Sequence, residues 1–134
     1  MAKYPKFKMA FNIGSTNEER IEASEMYQKA FTAIKTGEGT PPDGNDIHID
    51  LEINGFEILL APGYKVEKVL ENAMVCEIHF DNENDLRKAY DILSKEGQNY
   101  SLDGPFEWAT LLGLVTDKFG ICWALYFDES NITV

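Results

Sequence analysis

Twice along this 134-residue chain a strand pattern gives way to an amphipathic helix and then to further strands. This repeated order constrains the fold more than any single motif. Phe7 to Ile13 alternates, with Met9, Phe11 and Ile13 on one side and Lys8, Ala10 and Asn12 on the other. Gly14 ends that strand. Ser15-Thr16-Asn17-Glu18-Glu19 then offers two capping boxes, Ser15 with Glu18 and Thr16 with Glu19. The helix that follows carries Ala23, Tyr27, Ala30 and Ile34 on one stripe, widened by Met26 and Phe31. Thr36 to Asn45 holds three glycines and two prolines and reads as a loop. Ile47 to Ile53 and Phe56 to Ala61 flank Asn54-Gly55, the strongest short hairpin signal, because a type I′ turn needs positive φ at both central residues. Pro62-Gly63 closes this first module, about residues 6–63.

The second module covers about residues 74–128. Met74 to Asp81 reads as a strand, and Asn82 caps a helix whose apolar face is Leu86, Ala89, Tyr90 and Leu93. Gly97 is expected to close that helix as a left-handed cap. Tyr100 to Leu102, Trp108 to Thr116 and Ile121 to Phe127 supply the remaining strands, with Asp117-Lys118-Phe119-Gly120 as the last turn. Tyr27 and Tyr90 hold comparable places in the two helices.

Composition narrows the partners. With 23 acidic against 12 basic residues the net charge is −11, a field that repels a phosphate backbone, so no nucleic acid is expected. No apolar run approaches the roughly 18 residues that span a bilayer, so no membrane is expected either. Met1 to Lys6 is positively charged but is followed by no apolar segment, and a cytoplasmic location is expected. Cys76 and Cys122 lack metal-type spacing, and strand alternation puts them on opposite faces of a sheet, so both are expected as free thiols.

Two segments carry a family resemblance. Glu22-Ala23-Ser24-Glu25-Met26-Tyr27-Gln28-Lys29-Ala30-Phe31 looks like the helix motif of PhnB-like proteins. Trp108 followed by Gly113-Leu114-Val115-Thr116-Asp117-Lys118-Phe119-Gly120-Ile121-Cys122-Trp123 is similar to that group's ending. The chain thus resembles the PhnB-like branch of the glyoxalase/bleomycin-resistance, or vicinal-oxygen-chelate, superfamily. The resemblance implies a single α+β domain in which two βαβββ modules form a cupped mixed sheet with helices packed outside, usually as a homodimer. Tyr27, Phe31 and Trp123 read most simply as core residues, and Asp117 and Gly120 as turn formers, so the motifs identify a fold better than an activity.

Metal-dependent members place four His, Glu or Gln ligands on four strands facing the cup. The matching positions here are Lys8, Leu59, Val75 and Ala124, one cation and three aliphatic side chains, so neither a metal nor another cofactor is expected. Alternation puts Glu57 on the face of Leu59, Glu77 and His79 on that of Val75, and Cys122 and Tyr126 on that of Ala124. The expected role is binding of a small molecule in the cup by Asn12, Glu57, Leu59, Glu77, His79, Cys122, Ala124 and Tyr126, with Ala10 and Ala61 beside them and Trp108 at the wall. His48 is expected to be exposed near a loop. The alternative is a lyase, isomerase or dioxygenase-type enzyme using a displaced ion, or using a buried Glu77 beside His79 as an acid/base pair.

Overall fold

The structure is a computed structural model that describes residues 7, 9–13, 16–40, 44, 46–62 and 74–131. Expectations that fall on Met1 to Lys6, Lys8, Gly14, Ser15, Pro41 to Asp43, Asn45 or Gly63 lie outside the described residues. The chain divides into two compact units, Met1–Lys65 and Val66–Val134. Each is built in the order strand, helix, three strands.

In the first unit β1 (Met9–Asn12) leads into α1 (Asn17–Phe31), then β2 (Ile34–Gly39), β3 (His48–Ile53) and β4 (Phe56–Ala61). The sheet order is β1-β4-β3-β2, with β1 parallel to β4 and the other pairs antiparallel. Thr16 caps α1, its hydroxyl accepting from the Glu19 N–H at 3.1 Å, which is one half of the expected capping box, and donating to the Glu19 carboxylate at 3.2 Å. Ala23, Tyr27 and Ala30 are buried against Phe11, Ile49, Leu51, Ile58 and Leu60 on the face of the sheet that meets the helix. Full burial of each of the larger side chains among these, the leucines, isoleucines and Phe11, stabilises by about 1.5–3 kcal/mol. Asn54 (φ 48°) and Gly55 (φ 85°) make the hairpin turn that the dipeptide foretells.

Two expectations fail in this unit. Ile34 does not continue the helical stripe: α1 stops at Phe31, Thr32 turns left-handed (φ 56°), and Ile34 opens β2 with 61% of its surface exposed. The segment read as a loop from Thr36 begins as strand, because β2 is an edge strand whose glycines and bulge between Lys35 and Gly37 hide its alternation.

The second unit repeats the plan with β5 (Cys76–Phe80), α2 (Glu83–Ser94), β6 (Gln98–Asp103), β7 (Leu111–Thr116) and β8 (Cys122–Phe127), in the order β5-β8-β7-β6. A single 3-10 turn, Glu129–Asn131, follows. Asn82 caps α2, accepting from the Asp85 N–H at 2.8 Å, and Leu86, Ala89, Tyr90 and Leu93 are buried as their spacing predicts. Gly97 is not the left-handed residue; Glu96 is, with φ 59°. Gly97 is needed for another reason: a Cβ there would lie 2.4 Å from the Thr116 carbonyl oxygen. Gly113 likewise lets α2 approach the sheet, since a Cβ would come within 2.9 Å of the Tyr90 ring. Two four-stranded mixed sheets and two helices make this an α+β fold.

Candidate functional site

Each sheet has one face under its helix and one face away from it, and the polar candidates lie on the second kind. On the open face of the first sheet, Ala10 is in register with Leu59 and Asn12 with Ala61, while Leu59 faces Asp50 and Glu57 faces Glu52. Asn12 and Glu57 are exposed and Leu59 is half-buried, but Ala61 is fully buried and unavailable. His48, expected to be exposed, is half-buried at the start of β3, where it pairs with Gly39 of the edge strand. Asp50 and Glu52 were not singled out from the sequence. Reading the alternation of β3 across to β4 would have found them.

The second sheet assembles a more articulated face. Its register places His79, Tyr126, Leu112 and Asp103 in one row across the four strands. Glu77, Ala124, Leu114 and Ser101 make the next row, and Cys122, Thr116 and Gln98 a third. The His79 and Tyr126 rings stack with centroids 4.8 Å apart and planes within 5°. Glu77 Oε1 lies 3.1 Å from His79 Nε2. With the carboxylate as acceptor, Nε2 carries the proton, and a neutral imidazole keeps Nδ1 as its acceptor. Tyr126 is half-buried and Ala124 is recessed at 4% exposure between Glu77 and Leu114. At the far row the Thr116 hydroxyl and the Cys122 thiol are 3.4 Å apart.

Five predicted site residues, Glu77, His79, Cys122, Ala124 and Tyr126, therefore share one face of one sheet. Leu112, Leu114, Thr116, Ser101 and Asp103 join them and were missed, although the alternation of β7 announces the first three. Two expectations need correction. Glu77 is not a buried carboxyl, since 57% of its side chain is exposed on the outer strand β5. Trp108 does not begin a strand. It lies in the tight turn between Phe106 and Ala109, stacked on Phe106 at 4.7 Å and 58% exposed.

Cys76 faces the helix side in register with Trp123, and both thiols are free. Burial, with smaller effects from the Cys122 thiol and Asp117, pushes the Cys76 pKa up. The Asp117 turn is structural. Its Oδ1 accepts from the N–H groups of Phe119 (2.9 Å) and Ile121 (3.1 Å), and its Oδ2 accepts from the indole N–H of Trp123 (2.8 Å).

The donor set does not fit the metal site of the metal-dependent members. Leu59 and Ala124 lie within their sheets and Val75 just before β5, and none carries a lone pair. Among the described residues no group of three or more His, Cys, Asp or Glu side chains is placed to hold an ion.

Two βαβββ units with this strand order define the glyoxalase/bleomycin-resistance fold. A PhnB protein from Bacillus cereus superimposes with a TM-score of 0.72 at 16% identity, over 93% of this chain and 99% of that one. A Pseudomonas aeruginosa protein gives 0.73 at 17% identity, over 93% and 98%. The fosfomycin resistance protein FosX from Listeria monocytogenes gives 0.63 at 9% identity, over 94% of each chain. The chain thus has this fold and is similar in structure to PhnB proteins. No family model matches the sequence. Uncharacterized proteins of Mycobacterium bovis and Mycobacterium tuberculosis are 42% identical over 43 residues, which is 32% of this chain and 28% and 25% of theirs. The matched stretch spans about a quarter of the length of those curated relatives.

Proposed function

We propose that the protein binds a small organic molecule on the open face of its second sheet, without the divalent ion of the superfamily's metal-dependent members. Tyr126 and His79 form a stacked aromatic pair, Leu112, Leu114 and Ala124 an apolar floor, and Glu77, Ser101 and Thr116 the polar groups that fix orientation. The observation that carries this reading is the parallel His79–Tyr126 stack, held by the Glu77–His79 hydrogen bond yet open to solvent. The first sheet is the weaker candidate, because Leu59 there lies beside the carboxylates Asp50 and Glu57, and the described strand positions of that face include no phenylalanine, tyrosine or tryptophan. Trp108 leaves the candidate set. A FosX variant from Listeria monocytogenes was crystallised with Mn(II) and a dihydroxypropylphosphonic acid. The side chains at Leu59, Val75 and Ala124 favour a metal-free role for this chain.

Thermal-shift screening of the wild type against aromatic compounds tests the proposal. A stabilising compound is expected, and its effect should vanish in Tyr126→Leu while the circular dichroism of the variant stays native. A stabilising compound that acts equally on wild type and Tyr126→Leu would move the site elsewhere. The reading includes a cytoplasmic homodimer, as the PhnB resemblance implies, and sedimentation at micromolar concentration checks the dimer.

The Glu77–His79 pair favours a second reading, acid/base catalysis through the Nδ1 acceptor of His79. Turnover of a stabilising compound that is lost in His79→Gln while binding persists would promote it.

A further inference from the structure

Resting on the binding face proposed above, we infer that its ligand is a planar organic cation. The face supplies the three elements such a molecule requires. The first is a π face: the two rings stack in parallel, 4.8 Å between centroids and within 5°, so their inner faces cover each other and each keeps its outer face, that of the phenol carrying a negative quadrupole. The second is an anion at the edge of that surface. Glu77 holds His79 at 3.1 Å from one carboxylate oxygen, and 57% of its side chain is accessible to an incoming group. The third is relief. Ala124 sits in the row of Glu77, flanked by Leu114 and next to Tyr126, so its small side chain leaves room beside the carboxylate.

Charge decides between ligand classes. Among the described residues, the strand positions on this face include two carboxylates, Glu77 and Asp103, and no lysine or arginine. A neutral flat molecule would gain the stacking but would cover the Glu77 carboxylate without offering it a partner of opposite charge, and desolvating a charged acceptor that way is unfavourable. An anion would meet the same carboxylate directly. A cation gains stacking, a charge-assisted contact and the attraction of a chain with net charge −11. The acidic surface alone attracts any cation weakly. The specific contribution of Glu77 is what separates a site from that background.

The test is titration calorimetry in about 150 mM salt, where long-range attraction is screened. Three probes of one shape are used: N-methylquinolinium, neutral quinoline and quinoline-carboxylate, each with NMR of the His79 and Tyr126 ring protons. The expected result is that N-methylquinolinium shifts both rings and binds about tenfold or more tighter than quinoline. Glu77→Gln should erase that preference, whereas Glu25→Gln on the exposed surface of α1 should leave it intact. If quinoline or its carboxylate binds as well as the cation and shifts the same rings, the cation inference falls while the binding face stands. If none of the probes moves either ring, both fall.

Discussion

The two units repeat one chain order but close their central hairpins by different means. Between β3 and β4 the turn is Asn54-Gly55, two exposed residues whose backbone preferences suffice. Between β7 and β8 the turn is organised by Asp117, which is 3% exposed and ties two turn amides and the Trp123 indole together. The first turn is a local solution, readable from two letters. The second reaches into the core, so its loss is felt by the packing beneath it. The helices differ in the same sense. In the first unit the fully buried Arg20 donates to the Ile13 carbonyl at 3.1 Å and to Asn17 Oδ1 at 2.9 Å, and that Asn17 oxygen also accepts from the Ile47 N–H at 3.0 Å. The second unit holds α2 by apolar packing and by glycines that let backbone and ring come close.

What repeats most closely is the entry to the outer strand. Thr32 and Glu96, 64 positions apart, are both left-handed after the helix, and both following strands carry a bulge, between Lys35 and Gly37 and between Asn99 and Ser101. Ala33 and Gly97 occupy the same step, and at Gly97 the Thr116 carbonyl leaves no room for the methyl group that Ala33 carries.

These contrasts can be broken experimentally, and the largest effect belongs to the polar anchors. Arg20→Leu should destabilise by about 3 kcal/mol, since it removes a charged donor from the buried Ile13 carbonyl and from Asn17. Asp117→Ala should cost a similar or slightly smaller amount, about 2–3 kcal/mol, against well under 1 kcal/mol for Asn54→Asp, which can keep the left-handed turn. Urea denaturation of the three variants gives the comparison, and equal losses at Asp117 and Asn54 would erase the distinction between the turns. Gly97→Ala should cost about 1–3 kcal/mol through backbone displacement, while Gly39→Ala, where a Cβ meets nothing within 4 Å, should lie within about 0.5 kcal/mol of the wild type. In the opposite direction, Thr32→Gly and Glu96→Gly should each stabilise by up to about 1 kcal/mol in thermal melts, Thr32 more because its β-branch resists positive φ.

The smallest effect distinguishes the two thiols of the second unit. The raised pKa of Cys76 means that the fold favours its neutral thiol. Its contribution to stability is therefore complete below the ordinary thiol range and is lost as pH rises through it, from roughly pH 8.5 upward. Iodoacetamide should label Cys122 faster than Cys76 at pH 8, as read by peptide mass spectrometry. Cys76→Ala should flatten the stability loss above that pH.

Legibility followed the range of the interactions. The N-caps at Thr16 and Asn82, the helical faces through Tyr27 and Tyr90, and the Asn54-Gly55 hairpin were all foreseen, because each depends on neighbours within a few residues. The strand β2 was not, since an edge strand with one buried face missing and a bulge in the middle need not alternate. Trp108 was misplaced because a turn bonded between Phe106 and Ala109 interrupts a run that reads as continuous strand.

By itself, then, the sequence determined the α+β class, the duplicated order and the absence of ligand-type side chains at Leu59, Val75 and Ala124, since composition and period are properties of the chain alone. Only the tertiary structure decided that Tyr126 of β8 lies flat on His79 of β5 with Glu77 beside it, that Glu77 stays exposed, and that Gly97 is demanded by a carbonyl at Thr116. These features depend on strand pairs whose members are tens of residues apart, and the register between them is set by the packing of the whole sheet against its helix.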